Sequence, residues 1–321
     1  SCYPLPAESA FKTMSDRSFA GLPKLLKAGG YYTTTFHTNT ATFWNRKNMY
    51  PALGFDKWYD SQFFGVDLKG KAYGTPDYYL FKKAVPELQK LQTPFYAQFI
   101  TVTSHSPFRV PEWMRTVDLG SRANSCIVGK YLKNINYTDR QFGMFIKDLK
   151  ASGLYDDSLI IIYGDHYGIN PEKIIKYDKM NKTRDYEMLK QVLGREFDDL
   201  DPFNVPIAFK LPGGANPVVE ILPAAHVDIL PTLLNLTGLD NKIGTMFGKD
   251  LFNIRENLFG VRFYAPSGSF IDNERMYFGT EYSIDFATHT KSTTVTNQSK
   301  QAAVQAAKES SDAYVRALPK R

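Results

Sequence analysis

The run Leu159-Ile160-Ile161-Ile162-Tyr163 narrows the fold more than any other segment. An unbroken apolar and aromatic stretch, rich in β-branched residues, reads as a strand buried on both faces, and such strands belong to sheets covered by helices. Residues 31 to 36, 95 to 103 and 205 to 209 are read as further strands. The stretches between them have helical spacing. Residues 18 to 28 place a serine ahead of the apolar positions and stop at Gly29-Gly30, and a second helix is predicted from about Asp77 to Leu91. Ile127, Tyr131, Ile135, Phe142, Phe145, Ile146 and Leu149 keep one helical face up to Ser152-Gly153. Val227 to Leu236 is an apolar helix whose Pro231 calls for a helix start or a kink. This alternation predicts an α/β fold with a mostly parallel central sheet flanked by helices. The aromatic, glycine-rich stretch from Asp56 to Gly74 reads as a surface loop. Short strand-like runs with glycines between 259 and 280 suggest a small C-terminal α+β appendage, and the tail from Lys291 is polar with weak helical character. The expected division is a catalytic-type domain over 1–258 and a small subdomain with its tail over 259–321.

Composition removes several classes of function. With 321 residues, 43% hydrophobic and 14% aromatic, the chain can bury a large core. Its 39 basic and 33 acidic residues are interspersed, so the net charge of +6 does not form the basic run that a nucleic-acid arm needs. Cys2 and Cys126 encode neither a zinc ribbon nor a disulfide framework. No stretch reaches the ~18 apolar residues of a membrane helix. Opening at Ser1-Cys2-Tyr3-Pro4, without methionine or signal pattern, the chain reads as an excised piece.

Tyr163-Gly164-Asp165-His166-Tyr167-Gly168 follows the best strand directly. In open α/β sheets ligands bind beyond the carboxyl ends of strands, and a carboxylate beside an imidazole suits manganese, magnesium or zinc. The bland reading is that Asp165 caps the turn and His166 packs against the loop. Position adds weight, because His37, His105 and His166 each follow a predicted strand within one or two residues. Parallel strands would bring all three imidazoles to one edge. Arg46, in Phe43-Trp44-Asn45-Arg46, carries the guanidinium best shaped to grip a phosphate, with Trp44 offering an apolar face. A surface arginine stacked on tryptophan is the alternative.

Taken together, His37…Phe43-Trp44-Asn45-Arg46, Thr103-Ser104-His105-Ser106-Pro107-Phe108, Tyr163-Gly164-Asp165-His166-Tyr167-Gly168 and His226-Val227-Asp228-Ile229-Leu230-Pro231-Thr232 resemble the lipoteichoic acid synthases, within the alkaline phosphatase and sulfatase superfamily. The resemblance runs in register from about residue 4 to 255. It implies that Asp165 and His166 are ligands of a catalytic Mn2+, with Mg2+ as a substitute, and that His37, Trp44, Arg46 and His105 surround a glycerol phosphate head group. His105 is also the candidate catalytic residue, protonating the leaving glycerol oxygen. The implied reaction moves glycerol phosphate from phosphatidylglycerol, through a phospho-threonine, onto a growing polyglycerol phosphate chain. It places the enzyme at the extracellular face of a Gram-positive membrane, held there by an N-terminal region. The family's nucleophilic threonine and a further acidic ligand would precede Ser1, and Thr101, Thr103 and Ser104 read as strand and turn residues.

Two other readings stay open. One is a different phosphotransferase or a sulfatase of the same superfamily, which the missing nucleophile would identify. The other is a catalytically silent module that binds glycerol phosphate polymer or anionic lipid head groups. His226 and Asp228 are read as a helix N-terminus, with Asp228 near the positive end of the dipole. His289 is given no role.

Overall fold

Three consecutive threonines and a phenylalanine, Thr33 to Phe36, are wholly removed from solvent, and the sheet is built around them. The computed structural model describes residues 2–65, 75–110, 114–169, 182–239, 245–293 and 297–321. Helix α1 (Leu22–Ala28) leads into β1 (Tyr32–His37), followed by α2 (Arg46–Leu53) and β2 (Lys57–Tyr59). Helix α3 (Asp77–Leu88), β3 (Phe95–Ile100) and the long α4 (Ile127–Ala151) come next. Strands β2, β1 and β3 form a parallel sheet in that order, with Thr34 opposite Lys57 and His37 opposite Ile100. β-Branched residues suit this pleated, fully covered position.

A ladder of rings crosses the sheet on one face. Phe36 stacks on Tyr59 at 4.3 Å and on Phe99 at 5.0 Å, with the ring planes nearly parallel in both pairs. Leu80, Phe81, Ala84, Val85 and Leu88 of α3 and Phe145 and Leu149 of α4 cover it. The predicted helical face of α4 is therefore partly right. Phe145 and Leu149 are buried, whereas Ile135 lies at the surface and Val128, Asn134 and Tyr137 take inward positions. The expected loop after Asp56 is a correction, since Lys57–Tyr59 is a strand and Ser61–Phe64 a helical turn capped by the Asp60 carboxylate, which accepts from the Gln62 amide. The residues from 66 to 74 lie outside the described ones.

Strand β4 (Ile160–Tyr163) departs from the expected single parallel sheet. After α5 (Lys182–Leu193), β5 (Ile207–Lys210) pairs with it antiparallel, Ile160 opposite Lys210 and Tyr163 opposite Ile207, in a ribbon of two. The ribbon still packs beside the sheet, because Ile160 joins the same hydrophobic cluster as Phe95, Ala97 and Phe99 of β3. Nor is β4 buried on both faces, with Ile162 42% and Tyr163 40% exposed. Uninterrupted apolar character records the need for cover but not which element supplies it.

Helix α6 (His226–Thr237) has Pro231 well inside rather than at its start. The C-terminal part is an antiparallel sheet of β6 (Phe259–Gly260), β7 (Phe270–Ile271), β8 (Arg275–Phe278), β9 (Tyr282–Asp285) and β10 (Lys291–Ser292). Its last element corrects the reading of a weak tail. Helix α7 (Gln298–Arg316) is capped by the Asn297 side chain, which accepts from the Lys300 amide, and buries Val304, Lys308, Ser311 and Val315. The start of the chain is sewn into the same region, where the Tyr3 amide donates to Ser311 Oγ and the Gly260 amide donates to the Tyr3 hydroxyl. Cys2 and Cys126 are free thiols.

Candidate active site

Strand β1 delivers His37 at its last residue, with the imidazole only 6% exposed. Its Nδ1–H donates to the carbonyl of Ile100 at the end of β3, at 2.9 Å, so the lone pair is on Nε2. Burial, reinforced by the nearby Arg46 charge, pushes the His37 pKa down to about 4, against weaker opposing pulls from the Ile100 carbonyl and Asp165. The ring is therefore neutral at physiological pH, and Arg46 and Asp165 both lie within its electrostatic reach.

Arg46 opens α2 after two successive residues in left-handed conformation, Trp44 (φ 58°) and Asn45 (φ 56°). Asparagine tolerates this region, and the Asn45 amide fastens it by donating to Phe11 O at 2.8 Å while its oxygen accepts from Asn48. The guanidinium lies 5.5 Å over the Phe43 ring and donates to the Phe43 carbonyl at 3.4 Å. Burial lowers its pKa, and among the described residues no carboxylate pairs with it. Trp44 is half exposed, and Lys12 Nζ sits over its ring at 4.4 Å.

The turn carrying His105 is held from beneath by Asp77, a fully buried carboxylate at the start of α3. Its oxygens accept from the amides of Val102 and Thr103 and from the Thr138 hydroxyl, and the Asp77 amide donates to Thr103 Oγ1. Asn134 of α4 donates to the Thr103 carbonyl at 2.7 Å. Burial raises the Asp77 pKa, opposed by these donors. His105 then donates from Nδ1 to Ser106 O at 2.6 Å.

Beyond β4, His166 repeats the pattern, with Nδ1–H donating to Tyr167 O at 2.7 Å. Its ring stands edge-on to His105 at 5.5 Å, and its Nε2 lies 3.6 Å from Asp165 Oδ1. Asp165 and His166 are 75% and 46% exposed. The flanking glycines have a packing reason. A Cβ on Gly168 would lie 2.4 Å from the Tyr131 ring, and one on Gly164 would press on Val205 at 3.1 Å.

His226, left outside the site on sequence grounds, bonds to its supporting loop, with Nε2–H donating to Gly164 O at 2.7 Å. Asp228 has the capping role read for it. It accepts from the Ala225 amide at the helix start, from the Lys249 amide and from Asn257. Thr232 accepts from the Leu251 amide, so both side chains latch the segment that follows α6.

A divalent ion about 2.1 Å from each ligand atom sets neighbouring donors about 3 Å apart, which suits Asp165 Oδ1 and His166 Nε2. The Nδ1-to-carbonyl bond of His166 is the usual outer support of a metal-bound imidazole. Among the described residues no third histidine, cysteine or carboxylate completes this pair. Such a triplet exists elsewhere, where Asp198, Asp201 and His289 offer ligand atoms within 4.8 Å of one another. No sequence signal marked it. Arg195 already spans the Asp201 carboxylate with both guanidinium nitrogens, and His289 Nδ1 lies 2.7 Å from Asp198 Oδ2. A cation is thus built into that cluster, which fastens the stretch before β5 to the C-terminal sheet.

The sulfatase family model matches residues 4–239. The chain belongs to the sulfatase family. Within that family it is 36% identical over 258 residues to lipoteichoic acid synthase 2 of Bacillus subtilis, a match covering 79% of this chain and 38% of that protein. It is 34% identical over 259 residues to lipoteichoic acid synthase of Staphylococcus aureus, covering 80% and 38%. The chain therefore spans about two fifths of the length of these relatives. Among solved structures, lipoteichoic acid synthase LtaP from Listeria monocytogenes aligns with a TM-score of 0.86 at 32% identity, over all of this chain and 78% of that one. An alkaline phosphatase superfamily protein from Vibrio parahaemolyticus aligns at 0.71 and 21%, covering 98% and 74%, and shares the fold. The α/β sulfatase-like architecture expected from the sequence is thus the observed one.

Proposed function

We propose that this chain forms part of a metal-dependent phosphoglycerol transferase, acting on phosphatidylglycerol to extend a polyglycerol phosphate chain at the outer face of the cell membrane. What supports the reading is that Arg46 and Asp165 lie within electrostatic reach of His37 and that the His166 ring stands 5.5 Å from that of His105. The sulfatase-family match and the lipoteichoic acid synthase relatives support it. No helix among the described residues is long and apolar enough to cross a membrane.

Asp165 and His166 would hold Mn2+, or Mg2+ in its place, which when bound would neutralise phosphoryl charge and acidify an attacking hydroxyl. Arg46, desolvated and without a carboxylate, grips the phosphoryl oxygens. His37 takes the glycerol end of the head group it is expected to surround. Held neutral with its proton on Nδ1, it offers a lone pair at Nε2, which accepts from a glycerol hydroxyl rather than pairing with phosphate. Trp44 covers the head group. His105, oriented by its bond to the Ser106 carbonyl, carries the proton delivered to the departing glyceryl oxygen. The nucleophile implied by the lipoteichoic acid synthase resemblance is a threonine outside these 321 residues.

The test is release of diacylglycerol from phosphatidylglycerol by the intact protein with manganese. Arg46→Ala should slow it about 100-fold or more, the usual cost of losing one such donor. Binding of glycerol 1-phosphate without any release would favour the silent binding module and overturn the enzyme reading.

A further inference from the structure

The large aromatic residues in left-handed conformation all sit beside the candidate site. Among the described residues the non-glycine positions with positive φ are Trp44, Asn45, Phe108, Tyr264 and His289. Trp44 precedes Arg46, and Phe108 follows His105 and packs on Tyr131 at 5.3 Å. Tyr264 comes from the C-terminal sheet region, far along the chain. Its ring meets Tyr167 edge-on at 4.6 Å, Tyr167 lies 5.9 Å from His166, and His166 lies 5.5 Å from His105. Bulky side chains at positive φ are costly and persist where the surroundings over-determine them, often at ligand clamps.

The loop that carries Tyr264 is held firmly. Its ends are pinched together by the Val261 amide donating to Ser269 O at 3.0 Å. Lys308 of α7, itself buried, donates from Nζ to the carbonyls of both Val261 and Ser269 at 2.8 and 3.2 Å. One helical turn on, Asp312 takes both guanidinium nitrogens of Arg262 at 2.6 and 3.0 Å. The loop's cation is thereby spent inward, while Phe263 and Tyr264 face solvent, Tyr264 at 70% exposure. An anchored loop presenting exposed aromatic rings and no free cation suits an apolar ligand rather than a polyanion.

We propose that Tyr264, with Phe263 beside it, is a specificity-determining residue that packs against the diacylglycerol end of the phospholipid donor. This rests on the function proposed above, in which His105 protonates the departing glyceryl oxygen. The departing group must then lie on the His105 side, and from there the ring contacts lead through His166 and Tyr167 to Tyr264. The C-terminal subdomain thereby supplies the wall that distinguishes a lipid donor from free glycerol phosphate.

Calorimetric titration of the intact protein, with manganese present, tests this with three probes, dihexanoyl phosphatidylglycerol, sn-glycerol 1-phosphate and a short polyglycerol phosphate. Tyr264→Ala should weaken the lipid about ten-fold, as expected for one lost aromatic packing partner, and leave glycerol 1-phosphate within about two-fold. Tyr264→Phe should keep lipid affinity. Tyr264→Gly should lose it while raising the melting temperature, because glycine relieves the left-handed backbone. Unchanged lipid affinity in Tyr264→Ala, or equal losses for lipid and glycerol 1-phosphate, overturns the proposal and leaves the enzyme reading standing. A selective loss for polyglycerol phosphate would assign the wall to the acceptor and overturn it likewise. Wild-type protein that binds none of the three probes would remove both readings together.

Discussion

The rim where β1 and β3 end and the rim where β4 ends both carry histidine, in opposite environments. His37 is nearly inaccessible, its ring neutral, and the neighbouring turn to His105 is braced by a buried carboxylate with several donors. Asp165 and His166 stand largely in solvent on the end of a two-stranded ribbon, with one backbone bond orienting the imidazole. The first rim is pre-organised to bind and orient, and its groups cannot rearrange cheaply. The second offers donors whose arrangement an added ion would complete. If this division of labour holds, substitutions at the first rim cost stability, whereas those at the second cost ligand affinity.

The largest effect is expected at Asp77. Asp77→Ala strips partners from the Val102 and Thr103 amides and the Thr138 hydroxyl in a buried place, and each unsatisfied group costs about 1–3 kcal/mol. A loss of roughly 3–5 kcal/mol in denaturant unfolding is expected, and a loss under 1 kcal/mol would show that the first rim is not braced in this way. Next comes the pH dependence set by His37. Its folded pKa of about 4 lies below the ordinary 6.5, so the unfolded chain takes up the proton first as pH falls. Stability is full above pH 6.5 and declines towards pH 4, by about 3 kcal/mol at about 1.4 kcal/mol per pH unit. His37→Gln should flatten that stretch of the stability curve; an unchanged slope would mean the ring is not held neutral by the fold.

The first rim was the more legible in sequence, and the reason is local. A threonine-rich run followed by a histidine fixes a strand and what stands at its end, and parallel pairing then brings the ends of β1 and β3 together. The ribbon was legible only as two separate strands, Leu159 to Tyr163 and residues 205 to 209, not as a pair. Leu159 to Tyr163 has the same apolar character whether it joins the main sheet or pairs with β5, so the pairing was invisible. Three features left no sequence signal. The common Nδ1-to-carbonyl orientation of His37, His105 and His166 depends on backbone carbonyls, which every residue has. The bond from His226 to Gly164 joins residues whose proximity only the fold creates. α7 is alanine-rich and polar, so its hold on the Tyr264 loop through Lys308 and Asp312 could not be read from a hydrophobic stripe.

A substitution at Gly168 sharpens the comparison from the packing side. Gly168→Ala drives a methyl into the Tyr131 ring at 2.4 Å, and overpacking of this kind costs roughly 1–3 kcal/mol unless the loop moves. Because the loop after β4 is exposed, it should yield, giving a loss near the bottom of that range together with weaker metal binding. A full loss with unchanged metal affinity would mean that this rim is as rigid as the other.

The smallest stability effect is expected at His166. The side chain is nearly half exposed, so without metal His166→Ala should change unfolding stability by no more than about 0.5 kcal/mol, the usual range for a surface position. With manganese the two proteins should separate. An ion that binds only the folded state adds stability in proportion to the logarithm of its concentration over its dissociation constant, so wild-type protein should gain and His166→Ala should gain less. A ten-fold weaker ion corresponds to about 1.4 kcal/mol at saturating concentration, readable as a difference in melting temperature that chelator abolishes. Glu substituted at Asp165 keeps the charge and should retain part of the gain, which separates ligation from simple electrostatic attraction. If wild-type and His166→Ala respond identically to manganese, the ion is bound elsewhere, and the exposed rim loses the role that its two converging donors give it.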